Sequence, residues 1–122
     1  MILGIGIDIV EIERIQSAID RFQERFFDRI LTSSEKRYCL SKANPSQHLA
    51  VRFAAKEAFV KALKDCRRVS WLDIEVCRLS EGSPFFSWNQ KVGGVLKNKG
   101  VQICHLSLSH SRIHAVASVV FE

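Results

Sequence analysis

The sequence predicts an α+β fold in which a long central helix packs on an antiparallel sheet. The chain begins with an alternating apolar stretch at residues 2–9, continues with helical periodicity to about residue 64, and ends in short alternating stretches. The last two, ICHLSLSH and RIHAVASVVF, are close enough to pair as a hairpin around Ser111. Strand, then helices, then mostly strands is the order typical of α+β proteins. With no repeat and no linker, we expect a single domain over 1–122.

The helices of the first half have recognisable starts. Residues 8–26 carry isoleucine and phenylalanine at helical spacing, which predicts a first helix. TSSE at 32–35 is a capping-box pattern, so a short helix begins after it. Asn44 followed by Pro45 is typical of a helix N-terminus, and the long helix should run to about Lys64.

The second half predicts strands around one weak helix. Residues 73–79 alternate as a strand does, and EGSP at 81–84 predicts a turn before FFSW. The segment NQKVGGVLKNKG predicts a helix that two adjacent glycines weaken and that Gly100 ends.

The composition indicates a general class of protein but no particular function. The formal charge of +5 favours polyanions, acidic proteins or phosphate-bearing ligands. The four cysteines are scattered with no C-x-x-C pair, so we expect reduced core residues and no zinc site. The first residues lack the basic region of a signal peptide, and no apolar run could span a bilayer. We expect a protein of a reducing compartment, the cytoplasm.

Asp8 admits two interpretations. It could cap the first helix, with Glu11 closing a capping box three residues later. It also shares its strand face with Gly4 and Gly6, which carry no side chains. Another element can pack close to so smooth a face and bring a second charged group near Asp8. The two interpretations are compatible.

Glu57 and Lys61 also admit two interpretations. They lie four residues apart on the long helix and face the same way as Phe53. An exposed ion pair worth about 0.3–0.5 kcal/mol is the simpler explanation. The surrounding alanines, however, would let the helix lie close against a partner. In that case Asp8 and Glu57 could bind Mg²⁺ together with water and substrate phosphate, and Lys61 could neutralise phosphate charge.

The segment HLSLSHSRIH, residues 105–114, concentrates hydroxyl and imidazole groups. On a strand, His105, Ser107 and Ser109 share one face, whereas His110 lies on the other. Such a run could bind phosphate, or it could simply be the solvated side of an edge strand. A serine nucleophile activated by histidine fits poorly, because Ser109 and His110 point to opposite faces.

A narrow basic stripe marks the first helix. Arg14, Arg21 and Arg25 fall within about 40° of one another at helical spacing, next to Phe22 and Phe26. Most charged stripes are solvated, but arginine beside aromatic residues is typical of contact surfaces.

Four motifs carry a resemblance to a known family. GIGIDIVEIERI, RFFDRILTSSE, RFAAKEAFVKA and HLSLSHS, in this order over the whole chain, resemble the holo-acyl-carrier-protein synthases, the small bacterial 4'-phosphopantetheinyl transferases. The resemblance implies the fold of that family. It also implies that a serine of apo acyl carrier protein attacks the β-phosphate of coenzyme A, so that adenosine 3',5'-bisphosphate leaves and fatty acid biosynthesis is supported.

The resemblance further implies roles for residues that match the family's motifs. Asp8 and Glu57 match the family's Mg²⁺ ligands. Glu57 and Lys61 match its catalytic residues. The implied coenzyme A residues are Arg52, Lys61, His105, Ser107, Ser109 and His110. The implied carrier-protein residues are Arg14, Arg21, Phe22 and Arg25. The base that takes the serine proton is either Glu57 or a water on the metal, and we favour the water because Mg²⁺ weakens a carboxylate as a base.

The sequence also departs from the family's pattern. Ser83 stands where relatives commonly carry lysine in a G-K-P pattern, and we suggest that Arg67 and Arg68 compensate. Small members of the family are trimers with the site between subunits, and the apolar last strand suits such burial.

Two other functions compete with the transferase. A basic nucleic-acid-binding module would need basic and aromatic residues on one strand face, whereas these strands are apolar or hydroxyl-rich. A non-catalytic scaffold could bind acidic partners through the first helix, but it leaves Asp8 and Glu57 without a role. We therefore expect coenzyme A and acyl carrier protein as partners, and neither nucleic acid nor membrane.

Overall fold

The computed structural model describes residues 1–64 and 69–122, so that Cys66, Arg67 and Arg68 lie outside the described residues. In chain order the elements are β1 (Gly4–Glu11), α1 (Ile12–Phe22), α2 (Glu24–Ile30), α3 (Ser33–Leu40), α4 (Pro45–Leu63), a 3-10 helix (Trp71–Asp73), β2 (Ile74–Arg78), β3 (Pro84–Trp88), α5 (Gln90–Asn98), β4 (Cys104–His110) and β5 (His114–Phe121).

The strands form two antiparallel sheets. One has the order β1-β5-β4, and the other pairs β2 with β3. The predicted hairpin of β4 and β5 is confirmed, and the Ser111 hydroxyl at its turn accepts hydrogen bonds from the Ile113 and His114 amides at 3.1 Å each. Together with the helices of the described residues, these sheets confirm the α+β prediction.

Helix α4 packs on the three-stranded sheet through β1. A Cβ atom at Gly6 would lie 1.9 Å from the Ala58 carbonyl oxygen, and one at Gly4 would lie 2.2 Å from that of Ala62. Only glycine allows so close an approach of strand and helix backbones. The predicted smooth face of the first strand is confirmed, and α4 is the element that covers it.

The opposite face of β1 is open. Its isoleucines, Ile5, Ile7 and Ile9, are 62%, 61% and 64% exposed. The partner positions on β5 belong to the same face, since Ile7 pairs with Ser118 and Ile9 with Val116. A row of large apolar side chains this exposed is unusual on a monomeric surface.

The prediction of one helix over residues 8–26 is wrong at both ends. Asp8 remains in β1, because the ladder with β5 continues to Glu11, which pairs with His114. The helix starts at Ile12 with Glu11 as its N-cap, and no side chain caps it, so Asp8 is not the cap. At the other end, Gln23 has φ +53 and separates α1 from α2.

The other predicted helix starts agree with the structure. Thr32 and Glu35 form both hydrogen bonds of a capping box at α3. Pro45 occupies the first turn of α4 behind Asn44. The Asn44 side chain accepts a hydrogen bond from the Ser46 hydroxyl at 2.8 Å rather than capping the helix backbone.

The described cysteines are all free. Cys39 is fully buried, whereas Cys77 and Cys104 are half-buried. Burial raises the pKa of Cys39 to about 11 and that of Cys104 to about 12, so these thiols are poor nucleophiles. Within residues 1–64 and 69–122, no helix is long and apolar enough to cross a membrane.

Candidate active site

Asp8 and Glu57 line one cavity of about 490 Å³, which we call the carboxylate cavity. Asp8 projects from the face of β1 that α4 covers. Glu57 lies on α4 directly before Ala58, the residue whose carbonyl group meets Gly6. The glycines of β1 thus bring together two carboxylates that are far apart in sequence. The other lining residues are Ile9, Val10, Glu11, Arg14, Ile15, Phe53 and His114.

Lys61 joins the helix to the strand beside this cavity. Its Nζ donates hydrogen bonds to Asp8 Oδ1 at 2.9 Å and to the Ile7 carbonyl oxygen at 3.0 Å. The Asp8 side chain is 14% exposed, whereas that of Lys61 is 52% exposed. A lysine held in this way can reach a phosphate that approaches the carboxylates from solvent.

The carboxylates of Asp8 and Glu57 repel each other. Burial raises the pKa of Glu57, the Asp8 carboxylate raises it further, and Lys61 lowers it. A divalent cation between the carboxylates would remove this repulsion. No group of three or more His, Cys, Asp or Glu side chains in the described part of the chain could hold a metal ion. Two carboxylates that leave room for water and phosphate suit Mg²⁺.

A second cavity, of about 590 Å³, adjoins the first and is called here the aromatic groove. Its lining residues are Phe22, Arg25, Phe26, Arg29, Ile30, Phe53 and Trp71. Phe53 lines both cavities, and its ring stacks on that of Trp71 with 4.9 Å between centroids. The groove therefore has an apolar floor and a basic rim, and it leads to the two carboxylates.

The predicted carrier-protein residues lie along these two cavities. Arg14 lines the carboxylate cavity, and Phe22 and Arg25 line the aromatic groove. The Arg21 guanidinium lies over the Phe22 ring, 5.1 Å from its centroid. The break at Gln23 means that the basic stripe continues from α1 onto α2 rather than along a single helix.

A third cavity, of about 200 Å³, contains two of the predicted coenzyme A residues, Arg52 and His110. Arg52 is 2% exposed and donates to the His48 carbonyl oxygen at 3.2 Å, but its Nε has no hydrogen-bond partner among the residues that the structure describes. Burial, followed by the charge of Arg52, lowers the pKa of His48. This concentration of positive charge, to which Arg78 contributes, suits a phosphate group.

The remaining predicted coenzyme A residues lie elsewhere. His105, Ser107 and Ser109 are exposed on β4 and share the open face of the sheet with the isoleucines of β1. His105 Nε2 lies 2.7 Å from Glu122 Oε1. In one chain, Asp8 and Lys61 therefore lie on the side of the sheet opposite these three residues.

Several residues of these cavities were missed by the sequence analysis. Phe53 had a detectable signal, because it faces the same way as Glu57 one turn later. Trp71, Arg29 and Arg78 had none, because their local sequences show no pattern that points to a site. Their positions depend on how α2 packs against the 3-10 helix and how β2 packs against α4.

The model of the 4'-phosphopantetheinyl transferase superfamily matches residues 4–117. The chain belongs to this superfamily. A holo-[acyl-carrier-protein] synthase of Koribacter versatilis is 49% identical over 124 residues, covering 100% of this chain and 99% of the relative. The chain is thus a phosphopantetheinyl transferase of the holo-[acyl-carrier-protein] synthase kind.

Solved structures of other transferases agree with this membership. The crystal structure of the Neisseria meningitidis holo-[acyl-carrier-protein] synthase has a TM-score of 0.94 and 36% identity, covering 100% of this chain and 99% of that one. The synthase from Bacillus anthracis, in complex with CoA (3',5'-ADP), has a TM-score of 0.83 and 39% identity, covering 99% and 96%.

Proposed function

We propose that this transferase moves the 4'-phosphopantetheine group of coenzyme A to a serine of apo acyl carrier protein. The serine hydroxyl loses its proton to a water held at the two carboxylates, and its oxygen forms a bond to the β-phosphorus. The bond from that phosphorus to the bridging oxygen breaks, and adenosine 3',5'-bisphosphate leaves. The observation that carries the proposal is the cluster of Asp8, Glu57 and Lys61 in a cavity that adjoins the aromatic groove. Phosphoryl-type transfer needs such positioning and charge neutralisation more than covalent help.

Asp8 and Glu57 would hold Mg²⁺, which both residues fit in type and charge. When bound, Mg²⁺ would polarise the β-phosphorus and shield the diphosphate oxygens. Lys61, anchored on Asp8 and on the Ile7 carbonyl, would offset negative charge on the departing bridging oxygen. Glu57 and Lys61 are therefore the residues for which we propose catalytic roles.

The carrier protein would dock along α1 and α2. Arg14, Arg21 and Arg25 would attract an acidic carrier, and Phe22 would supply apolar contact area. Because Phe53 borders both cavities, a helix seated in the aromatic groove could present a serine to the carboxylate cavity. In this proposal the three arginines bind the carrier protein, a role that a merely solvated stripe would not have.

Coenzyme A would contact residues from two subunits. Lys61 lies by the carboxylates and Arg52 with His110 in the third cavity, but His105, Ser107 and Ser109 lie on the open face of the sheet. We propose a homotrimer in which the open face is covered by a neighbour, so that one subunit's β4 completes the site of another. The exposed isoleucines of β1 support this, because association would remove them from water.

We further propose that residues 1–122 act as one domain and that the modified carrier serves fatty acid biosynthesis. The reaction would take place in the cytoplasm, where coenzyme A and newly made carrier protein are both present.

The reaction can be tested directly with purified components. Incubating the chain with coenzyme A, Mg²⁺ and an apo acyl carrier protein should increase the carrier's mass by one phosphopantetheine group. Asp8→Asn and Glu57→Gln should each slow the reaction on the order of a hundredfold or more. Glu81→Gln, in the exposed turn after β2, is the matched control and should retain the rate. An unchanged carrier mass with the wild-type chain would refute the proposed function.

A further inference from the structure

Lys56, the residue before Glu57, is fully buried. Its Nζ donates three hydrogen bonds: to Glu35 Oε1 at 2.6 Å, to the Ile30 carbonyl oxygen at 2.7 Å and to the Trp71 carbonyl oxygen at 2.9 Å. An ammonium group has three donors, so all of them are used. An isolated buried charge is very unfavourable, and this one is fully partnered.

Glu35, also fully buried, completes the network from the other side. Its Oε1 accepts from the Thr32 amide at 2.9 Å as part of the capping box of α3, and its Oε2 accepts from the Val76 amide of β2 at 2.8 Å. The ion pair therefore links α4 to the end of α2, the start of α3, the 3-10 helix and β2. We call these two residues the buried pair.

The carbonyl groups that Lys56 binds belong to residues of the aromatic groove. Ile30 and Trp71 both line it, and the Trp71 ring stacks on Phe53, which lies on α4 together with Lys56. Glu57, the next residue along the helix, lines the carboxylate cavity. One side chain thus fixes the floor of the groove to the helix that carries a proposed metal ligand.

We propose that the buried pair of Lys56 and Glu35 is a positioning device that sets the aromatic groove at a fixed distance from Glu57. This inference rests on the proposed function, since it assigns the groove to the carrier protein. Apolar contacts alone would allow the end of α2 and the 3-10 helix to slide on α4, whereas directional hydrogen bonds to a buried charge fix their position. A displacement on the order of 1 Å is enough to impair transfer about a hundredfold.

The chain offers a matched control. Lys36 of α3 bonds Asp28 at 2.7 Å and Glu24 at 3.2 Å, so it also ties α3 to α2, but these carboxylates are solvent-exposed. Neither acceptor lines the aromatic groove or the carboxylate cavity. A variant at Lys36 therefore removes a lysine and an inter-helix ion pair without moving the floor of the groove.

The test compares steady-state constants for the two substrates. Lys56→Met should lower kcat about a hundredfold and raise KM for the apo carrier protein, while KM for coenzyme A changes little, since the coenzyme A residues lie outside the groove. Lys36→Met should change none of these constants. If Lys56→Met does not fold, Lys56→Met combined with Glu35→Gln removes both charges and keeps one carbonyl acceptor for the backbone amides that Glu35 binds. Thermal unfolding of each variant establishes that it is folded at the assay temperature.

Two results would overturn the inference while the wild-type chain remains active. One is a folded buried-pair variant with the wild-type kcat and the wild-type KM for the carrier. The other is a parallel rise of both KM values in proportion to the loss of stability, which a merely structural role would produce. A wild-type chain that modifies no carrier would instead refute the proposed function, and the inference with it.

Discussion

Two opposing effects act on the Glu57 carboxylate, one in the free protein and one when a cation binds. Burial and the neighbouring Asp8 carboxylate raise its pKa, so that its ionised form is less favourable in the free protein than in water. The same two carboxylates are the oxygen ligands that a divalent cation prefers. The proposed metal site therefore lowers the stability of the metal-free protein, as many active sites do.

This balance predicts that Glu57→Gln stabilises the metal-free protein at neutral pH. A carboxyl whose pKa is raised on folding contributes stability below its unfolded pKa, and that contribution is lost as the pH rises through the folded value. The variant should therefore have the higher midpoint of thermal unfolding at neutral pH. The difference should vanish below the ordinary pKa of 4.5. Thermal unfolding in a chelator across this pH range measures it.

Adding Mg²⁺ should reverse the order of the two proteins. A cation that binds only the folded wild type raises its unfolding midpoint, whereas the variant lacks one ligand and should respond little. Glu81→Gln, in an exposed turn, should behave as the wild type with and without the cation. A Glu57→Gln protein that is less stable than the wild type in chelator at neutral pH would contradict this account.

At the scale of single residues, the sequence was informative where a local pattern had a physical consequence. Gly4 and Gly6 predicted a smooth strand face near Asp8, and α4 does pack there. Lys56 and Glu57 are adjacent and both charged, yet one is fully buried and the other lines a cavity. The partner of Lys56 lies 21 residues away, so its burial depends on packing that no local pattern reveals.

Between elements, the contact of β1 with α4 determines the geometry of the site. The two backbones approach until a side chain at Gly6 would overlap the Ala58 carbonyl group. Asp8 lies one alternation further along the strand, and Glu57 precedes Ala58 on the helix. Any change in this spacing therefore also changes the separation of the two carboxylates.

We expect Gly6→Ala to destabilise the protein and to lower its affinity for Mg²⁺. The added methyl group would meet backbone atoms, which cannot rotate away, and overpacking of this kind costs about 1–3 kcal/mol or more. Chemical unfolding and metal titration measure the two effects.

Gly94→Ala is the matched control for the same chemical change. Gly94 lies within α5 and has open space where a Cβ would be added. Alanine should stabilise the helix there by about 0.4–1 kcal/mol and leave metal binding unchanged. Equal effects of the two substitutions would show that close packing against α4 is not the reason for glycine at position 6.

The ends of elements were less predictable than their order. The helical spacing of isoleucine and phenylalanine runs from Ile12 to Phe26 without interruption, but Gln23 adopts φ +53 and divides it. Glutamine has no special preference for positive φ, so the sequence gives no sign of a break. The consequence is functional, since the division places Arg25 and Arg29 on α2, along the aromatic groove.

Across the whole molecule, the three-stranded sheet separates the predicted coenzyme A residues. Asp8 on β1 faces α4, where it meets Lys61. His105 and Ser109 lie on β4, at the other edge of the sheet and on its open face. One ligand would have to reach around the sheet to contact both of its faces in a single chain. A neighbouring chain can supply the second face, and the exposed isoleucines of β1 provide a reason for it to bind.

A composite site predicts that two impaired variants restore each other. Asp8→Asn removes a proposed metal ligand, and a chain with His105→Ala and Ser109→Ala alters the residues that a neighbour would contribute. When the two are co-expressed, some sites of the proposed mixed trimers would combine a wild-type Asp8 with a neighbour's wild-type β4, and these sites should transfer phosphopantetheine. The measurement is carrier modification by the mixed assembly against each variant alone, with sedimentation to establish the trimer. If each site were built from a single chain, every site in the mixed assembly would contain at least one defect. The shared site would therefore be contradicted by a mixed assembly that is no more active than the separate variants.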